Sequence, residues 1–364
     1  KKNMIIKDVI IENANFNLNN QNYNFFINLL DANLLENNIK IKNSNVFFRN
    51  NDEEVLFINK IKKINLYYDI HELRNNFYSD NEIFNISYSL NTHKVKDKKK
   101  LFSKINFNLL KLQIQNQIDY SKTNHKGLVN FIYDKDKSEA NYQWDKNSFS
   151  FNWFDKLSKS NFNYKGHVNF NPFYSNLEGD TNKINLVHLF KFNSLTMQIF
   201  KSEILNNKNL NIDLSIKSKK IDNYENFINI LMNLNIKKGL IDFDKTKFSW
   251  KKNIDFEISD SLIYVNENQL MLDCKITAKI IKYNEIYKFL QTPKNLRPEL
   301  NKIEFNFSYN FDQQEVNFDE IKINDKYNKK VNDILNQMSL KKDKLQNKIY
   351  FKNIMKKTIM AYAG

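Results

Sequence analysis

Glycine and proline are scarce in this chain of 364 residues, at 5 and 3, and cysteine occurs once, as Cys274. With so little glycine, the turns fall to Asn, Asp and Lys, and Asn is the non-glycine residue best suited to positive φ. A single cysteine excludes an intrachain disulfide and any cysteine-based metal site. The five histidines, His71, His93, His125, His167 and His188, share no common metal-ligand spacing, and only His71 has an adjacent carboxylate, Glu72. Gly127, Gly166, Gly179, Gly239 and Gly364 are too scattered to cradle a phosphate. No Gly-x-Ser-x-Gly elbow exists, and Cys274 has no histidine near it in sequence. No catalytic residue, metal ligand or cofactor is expected, and the chain reads as non-enzymatic. It also lacks a run of about 18 apolar residues, so no helical membrane span is expected within it. No signal peptide is visible. The chain starts at Lys1, which leaves room for an anchoring segment upstream.

What is abundant is aromatic and basic. Aromatics reach 14%, with 30 Phe and 18 Tyr, and such residues suit pleated, half-buried surfaces. The hydrophobic fraction of 41% supports a real core rather than wholesale disorder. The formal net charge is +15. Lys, Asn, Ile, Phe and Tyr all have A/T-rich codons, so base composition accounts for much of the Lys excess without an anionic partner. The cluster Lys94, Lys96, Lys98, Lys99 and Lys100 reads as a solvated loop. Aromatics among lysines at 283–288 and 350–357 read as sheet or core residues beside solvated charge, so no nucleic-acid partner is expected. The Lys-rich stretch 341–357 reads as a helix packed on the end of a sheet, with an anionic membrane surface as the other reading.

Alternation of period two dominates and predicts strands with one apolar face. Ile303, Phe305, Phe307, Tyr309 and Phe311 interleave with Glu304, Asn306, Ser308 and Asn310. Ile105 and Phe107 start a second run that switches phase at Leu110, which reads as a bulge or bend. Further runs lie at 210–216, 240–248, 254–258 and 316–323. Helical spacing is rarer. It predicts short helices around Phe26–Leu35, after a cap at Asn193 or Ser194, after Asp222 with Glu225, at 283–290 before Pro293, and from about Asn328. The expected fold is mostly β: an elongated, curved antiparallel sheet of meander repeats with an open groove and a few short helices. Residues 1–330 form the repeat region and 331–364 a helical, Lys-rich end. An apolar sheet face must be covered, either by a second sheet or by acyl chains. A compact structural or adhesive β-sandwich without lipid is therefore the alternative.

The unit Ile39 to Asn50, followed by Val55 to Ile61 and Leu66-Tyr67-Tyr68-Asp69, resembles the AsmA-like family, whose members repeat strand, polar turn, strand and aliphatic ladder. Lys165 to Tyr174, Asp260 to Val265 and Pro298 to Val331 are similar to its strand-pair repeats. The resemblance implies a periplasmic protein attached to the inner membrane by an N-terminal helix that would precede Lys1. It implies a hydrophobic β-groove and a role in outer-membrane assembly or phospholipid transport, with no catalytic residues to transfer. The groove residues expected from clean alternation are Ile105, Phe107, Ile303, Phe305, Phe307 and Tyr309, and phospholipid or another acyl-chain lipid is the expected partner.

Overall fold

The computed structural model describes residues 8–18, 38–49, 53, 55–83, 85–95, 99–119, 121, 124–133, 136–154, 162–170, 172–191, 194–336, 340–341 and 348–363. Of these, 65% lie in strands, so the backbone's hydrogen bonds are met mainly between strands. The expected helix around Phe26–Leu35 and part of the lysine run at 96–98 lie outside the described residues. The chain forms two compact units, Lys1–Pro172 and Phe173–Gly364.

In the first unit β1 (Asp8–Glu12) and β2 (Asn15–Leu18) run parallel to β3 (Asn38–Arg49). From β3 onward every strand is antiparallel to the one before it. These are β4 (Val55–Asp69), β5 (Arg74–Ile83), β6 (Ile86–Val95), β7 (Lys100–Phe107), β8 (Leu112–Asp119), β9 (His125–Tyr133), β10 (Asp136–Trp144), β11 (Ser148–Phe154) and β12 (Phe162–Phe170). Each strand bonds to its sequence neighbours, the near one-dimensional pattern of repeat and solenoid architectures. The pairing thus defines a solenoid-like repeat rather than the walls of a groove. The phase switch at Leu110 is a hairpin connection: a 3-10 turn at Asn108–Leu110 ends on Lys111 at φ 50°, and β8 starts afresh.

In the second unit β13 (Phe173–Ile184) leads through helices α1 (Leu186–Leu189) and α2 (Leu195–Lys201) to β14 (Asn211–Ile221), which lies parallel to β13. The sheet is therefore mixed, not antiparallel throughout as the alternation suggested. Strands β15 (Tyr224–Lys237), β16 (Leu240–Asp242), β17 (Lys247–Trp250), β18 (Ile254–Asn266) and β19 (Gln269–Ile280) continue antiparallel. Helix α3 (Tyr283–Leu290) precedes β20 (Lys302–Asn310), β21 (Glu315–Ile323) and β22 (Lys326–Tyr327). Helix α4 (Lys329–Asn336), β23 (Leu340–Lys341) and helix α5 (Lys348–Ala363) close the unit.

The helices expected after Ser194, at 283–290 and from Asn328 are present. Ser194 caps α2 by accepting from the Met197 N–H at 3.2 Å. The helix expected after Asp222 is instead strand β15. Asn223 stands at φ 64° in a hairpin, and Glu225 pairs across it with Lys220. Turn chemistry follows the composition: Asn13, Asn85, Asn223, Asn268, Asn324, Asp325, Lys238 and Lys245 all sit at positive φ.

Two apolar clusters form the core of the second unit, and helices cover both. Tyr287 and Leu290 of α3, Val331 and Leu335 of α4, and Ile354 and Ile359 of α5 meet Val316, Ile321 and Ile323 of β21. Met197 and Phe200 of α2 meet Ile236, Ile241, Ile263, Leu270 and Phe311. Each fully buried aliphatic or aromatic side chain contributes about 1.5–3 kcal/mol.

Candidate functional site

Residues directly opposite one another in a β-ladder share a face, so the register sorts every side chain of the first unit. One row across the sheet reads Ile64, Ser79, Leu90, Ile105, Ile114, Phe131. The next row on that face reads Leu66, Phe77, Thr92, Ser103, Asn116, Val129, and continues through Ala140, Trp153 and Tyr164. The opposite face carries Asp80, Ser89, Asn106 and Gln113 in one row and Asn91, Lys104, Gln115 and Asn130 in another. Strand β12 shows the separation most cleanly. Its Phe162, Tyr164, Val168 and Phe170 are half-buried while Asn163, Lys165, His167 and Asn169 are exposed.

The apolar face ends in rings. Trp153 lies 5.0 Å from Phe131, 5.2 Å from Phe162 and 5.6 Å from Tyr164, centroid to centroid. Its Nε1 is buried and has no hydrogen-bond partner. Tyr142 lies over Gly127, where a Cβ would stand 2.1 Å from the ring, and its hydroxyl donates to Asn116 Oδ1 at 2.8 Å. Burial pushes the phenols of Tyr88, Tyr142 and Tyr164 above their ordinary value, as expected of a poorly hydrated surface. Polar groups within the face satisfy one another: Tyr88 donates to Asn59 at 2.9 Å and Asn81 donates to Ser79 at 2.7 Å.

Ile105 and Phe107 fall on this face, half-buried, with Ile105 opposite Leu90 and Ile114. Ile303, Phe305, Phe307 and Tyr309 belong to β20 of the second unit and pack against the core that α3, α4 and α5 cover. Their face is occupied by the chain's own helices. The sequence reading missed the larger part of the apolar face, Ile114, Phe131, Trp153 and Tyr164. Its signal was present in the strict alternation of 162–170, but polar stretches such as Asp136 to Glu139 obscured the neighbouring strands.

Among the described residues, no group of three His, Cys, Asp or Glu is placed to hold a metal ion. No described helix is long and apolar enough to cross a membrane. Cys274 is buried, and desolvation, reinforced by the nearby carboxylates of Asp273 and Asp244, pushes its thiol up to about 12. A thiol so protonated is a poor nucleophile near neutral pH. No family model, curated protein or solved structure matches the chain.

Proposed function

We propose that the chain is a non-enzymatic, lipid-contacting protein of the bacterial envelope, acting in the periplasm in outer-membrane assembly or phospholipid movement. The acyl chains lie on the apolar face of β4 to β12. One observation carries this reading. Among the described residues no helix packs on that face, whereas the second unit covers its own apolar sheet face with α2 to α5. On that face Leu66, Ile118 and Ala140 are already buried, while Ile105, Ile114 and Phe131 are only half-buried and leave surface for another apolar partner. Burial against lipid is worth about 0.8 kcal/mol per methylene. A closed, dry sandwich, the rival reading, fits the helix-covered second unit better than the first.

Register supplies the test. A photo-crosslinking residue is placed in turn at Ile105, Ile114 and Phe131 on the apolar face and at Asn106, Gln113 and Ile132 on the other. Lipid adducts confined to the first set support the reading. Adducts on both sets, or on neither, refute it.

A further inference from the structure

The polar face of the first unit has a feature that lipid binding does not use. Two adjacent rows cross four strands there. One is His93, Phe102, Gln117 and Leu128, and the other is Asn91, Lys104, Gln115 and Asn130. With Arg74 they line a cleft of about 310 Å3.

The lining has three kinds of group. Phe102 and Leu128 give an apolar floor, and His93 stacks on Phe102 at 5.6 Å with the rings 13° from parallel. The carboxamides of Asn91, Gln115, Gln117 and Asn130 surround that floor, and Gln115 is held by a relay in the row beside the cleft. Gln115 donates to Gln113 at 2.7 Å, Gln113 to Asn106 at 2.9 Å, and Asn106 to Ser89 at 3.3 Å. An amide that gives one N–H to its neighbour keeps a second N–H and acceptor capacity for a ligand. The third kind is cationic. Lys104 is exposed and makes no ion pair among the described residues. Arg74 is held by Glu72, yet its Nε is buried without a partner. Among the described residues that line the cleft none is a carboxylate, and the Glu72 carboxylate is engaged by Arg74.

From this geometry we propose that the polar face binds an acidic saccharide laid across the strands. An apolar ring surface suits the C–H face of a sugar, amides suit its hydroxyls, and Lys104 suits its carboxylate. Strands repeat about every 4.8 Å across a sheet, close to the length of one hexopyranose, so successive sugars meet successive strands. Amides outnumber cations in the cleft and one Phe stands alone in it. A nucleic acid would call for a cationic track with a series of stacking rings instead. The saccharide occupies the face opposite the proposed lipid, so the two readings stand or fall separately.

Calorimetric titration of the full chain decides it, with tetragalacturonate, maltotetraose and oligothymidylate as probes. Tetragalacturonate binds, and maltotetraose binds about tenfold more weakly or not at all, the worth of one charge-assisted contact. Lys104→Glu and Phe102→Ala each lower tetragalacturonate affinity by at least a similar factor, while Ile105→Glu on the opposite face leaves it unchanged. Circular dichroism of each variant checks that the sheet is intact, and Gln115→Leu provides a second test at the amide relay. Equal affinity for both saccharides, no saccharide binding at millimolar concentration, or oligothymidylate as the sole ligand would each overturn the proposal.

Discussion

The carboxamide of Asn332 pairs with both backbone groups of Ile321. The Ile321 N–H donates to Asn332 Oδ1 at 2.8 Å, and Asn332 Nδ2 donates to the Ile321 carbonyl at 2.9 Å. A helix side chain thus stands where a neighbouring strand would stand. On either side of it, β23 pairs with Glu315 and Val316, and β22 pairs with Lys322 and Ile323. An unpaired strand edge is a template for further pairing, and Asn332 closes the gap in the edge of β21.

Replacing Asn332 with Leu leaves two buried backbone groups unmatched. At about 1–3 kcal/mol per orphaned group, the second unit should lose about 3 kcal/mol, read as a lower urea midpoint. Sedimentation should also show concentration-dependent association through the freed edge. An unchanged midpoint would mean that water replaces the amide.

At Gly127 a missing side chain makes room for the Tyr142 ring. Gly127→Val should drive Tyr142 from its place over β9 and break its bond to Asn116. The expected loss is about 1–3 kcal/mol, as for other overpacked sites. Tyrosine absorbance should shift with it, because the phenol leaves a buried setting.

Alkali should weaken the second unit through Cys274. Its folded thiol is pushed up to about 12 from an ordinary value of 9.0, chiefly by burial. Below pH 9 both states hold the proton and stability is unaffected. Between pH 9 and 12 only the unfolded state releases it, so stability falls as pH rises, by at most about 1.4 kcal/mol per unit. Tyr287, raised mainly by burial, acts in the same direction. Denaturant titrations of wild type and Cys274→Ala across this window check it: the variant should show the shallower decline.

Phe307→Glu should destabilise the second unit rather than empty a lipid site. Phe307 packs against the helix-covered core and lies 5.8 Å from Phe318. A carboxylate set against that apolar core should cost several kcal/mol. Loss of cooperative unfolding in that variant, with the first unit's signal retained, is the expected outcome.

These residues also show which parts of the molecule were legible in the sequence. The strand Lys302–Asn310 could be read because five apolar residues alternate without interruption. Helix α3 could be read because its apolar residues recur at helical spacing before Pro293. Strand β15 was misread because Phe227, Ile228 and Leu231 fit a helix as well as a bulged strand. The bulge falls between Ile228 and Leu231, with Asn229 at φ 54°. The parallel pairing of β13 with β14 joins segments separated by two helices, and no local pattern encodes it. Period two identifies an apolar face but not its cover. For this reason Ile105 and Ile303 look alike in sequence, though among the described residues one lies on a face without a helix over it and the other packs against the core that α3 to α5 cover.

The most direct test of the lipid reading is native mass spectrometry, with lipid extraction, of the full chain purified gently from bacterial membranes. A lipid-holding face predicts a stoichiometric phospholipid adduct. It should disappear in Ile105→Glu and Phe131→Glu and survive in Gln113→Glu, which changes only the opposite face. A lipid-free mass for the unmodified chain would contradict it and favour a closed, dry β-protein.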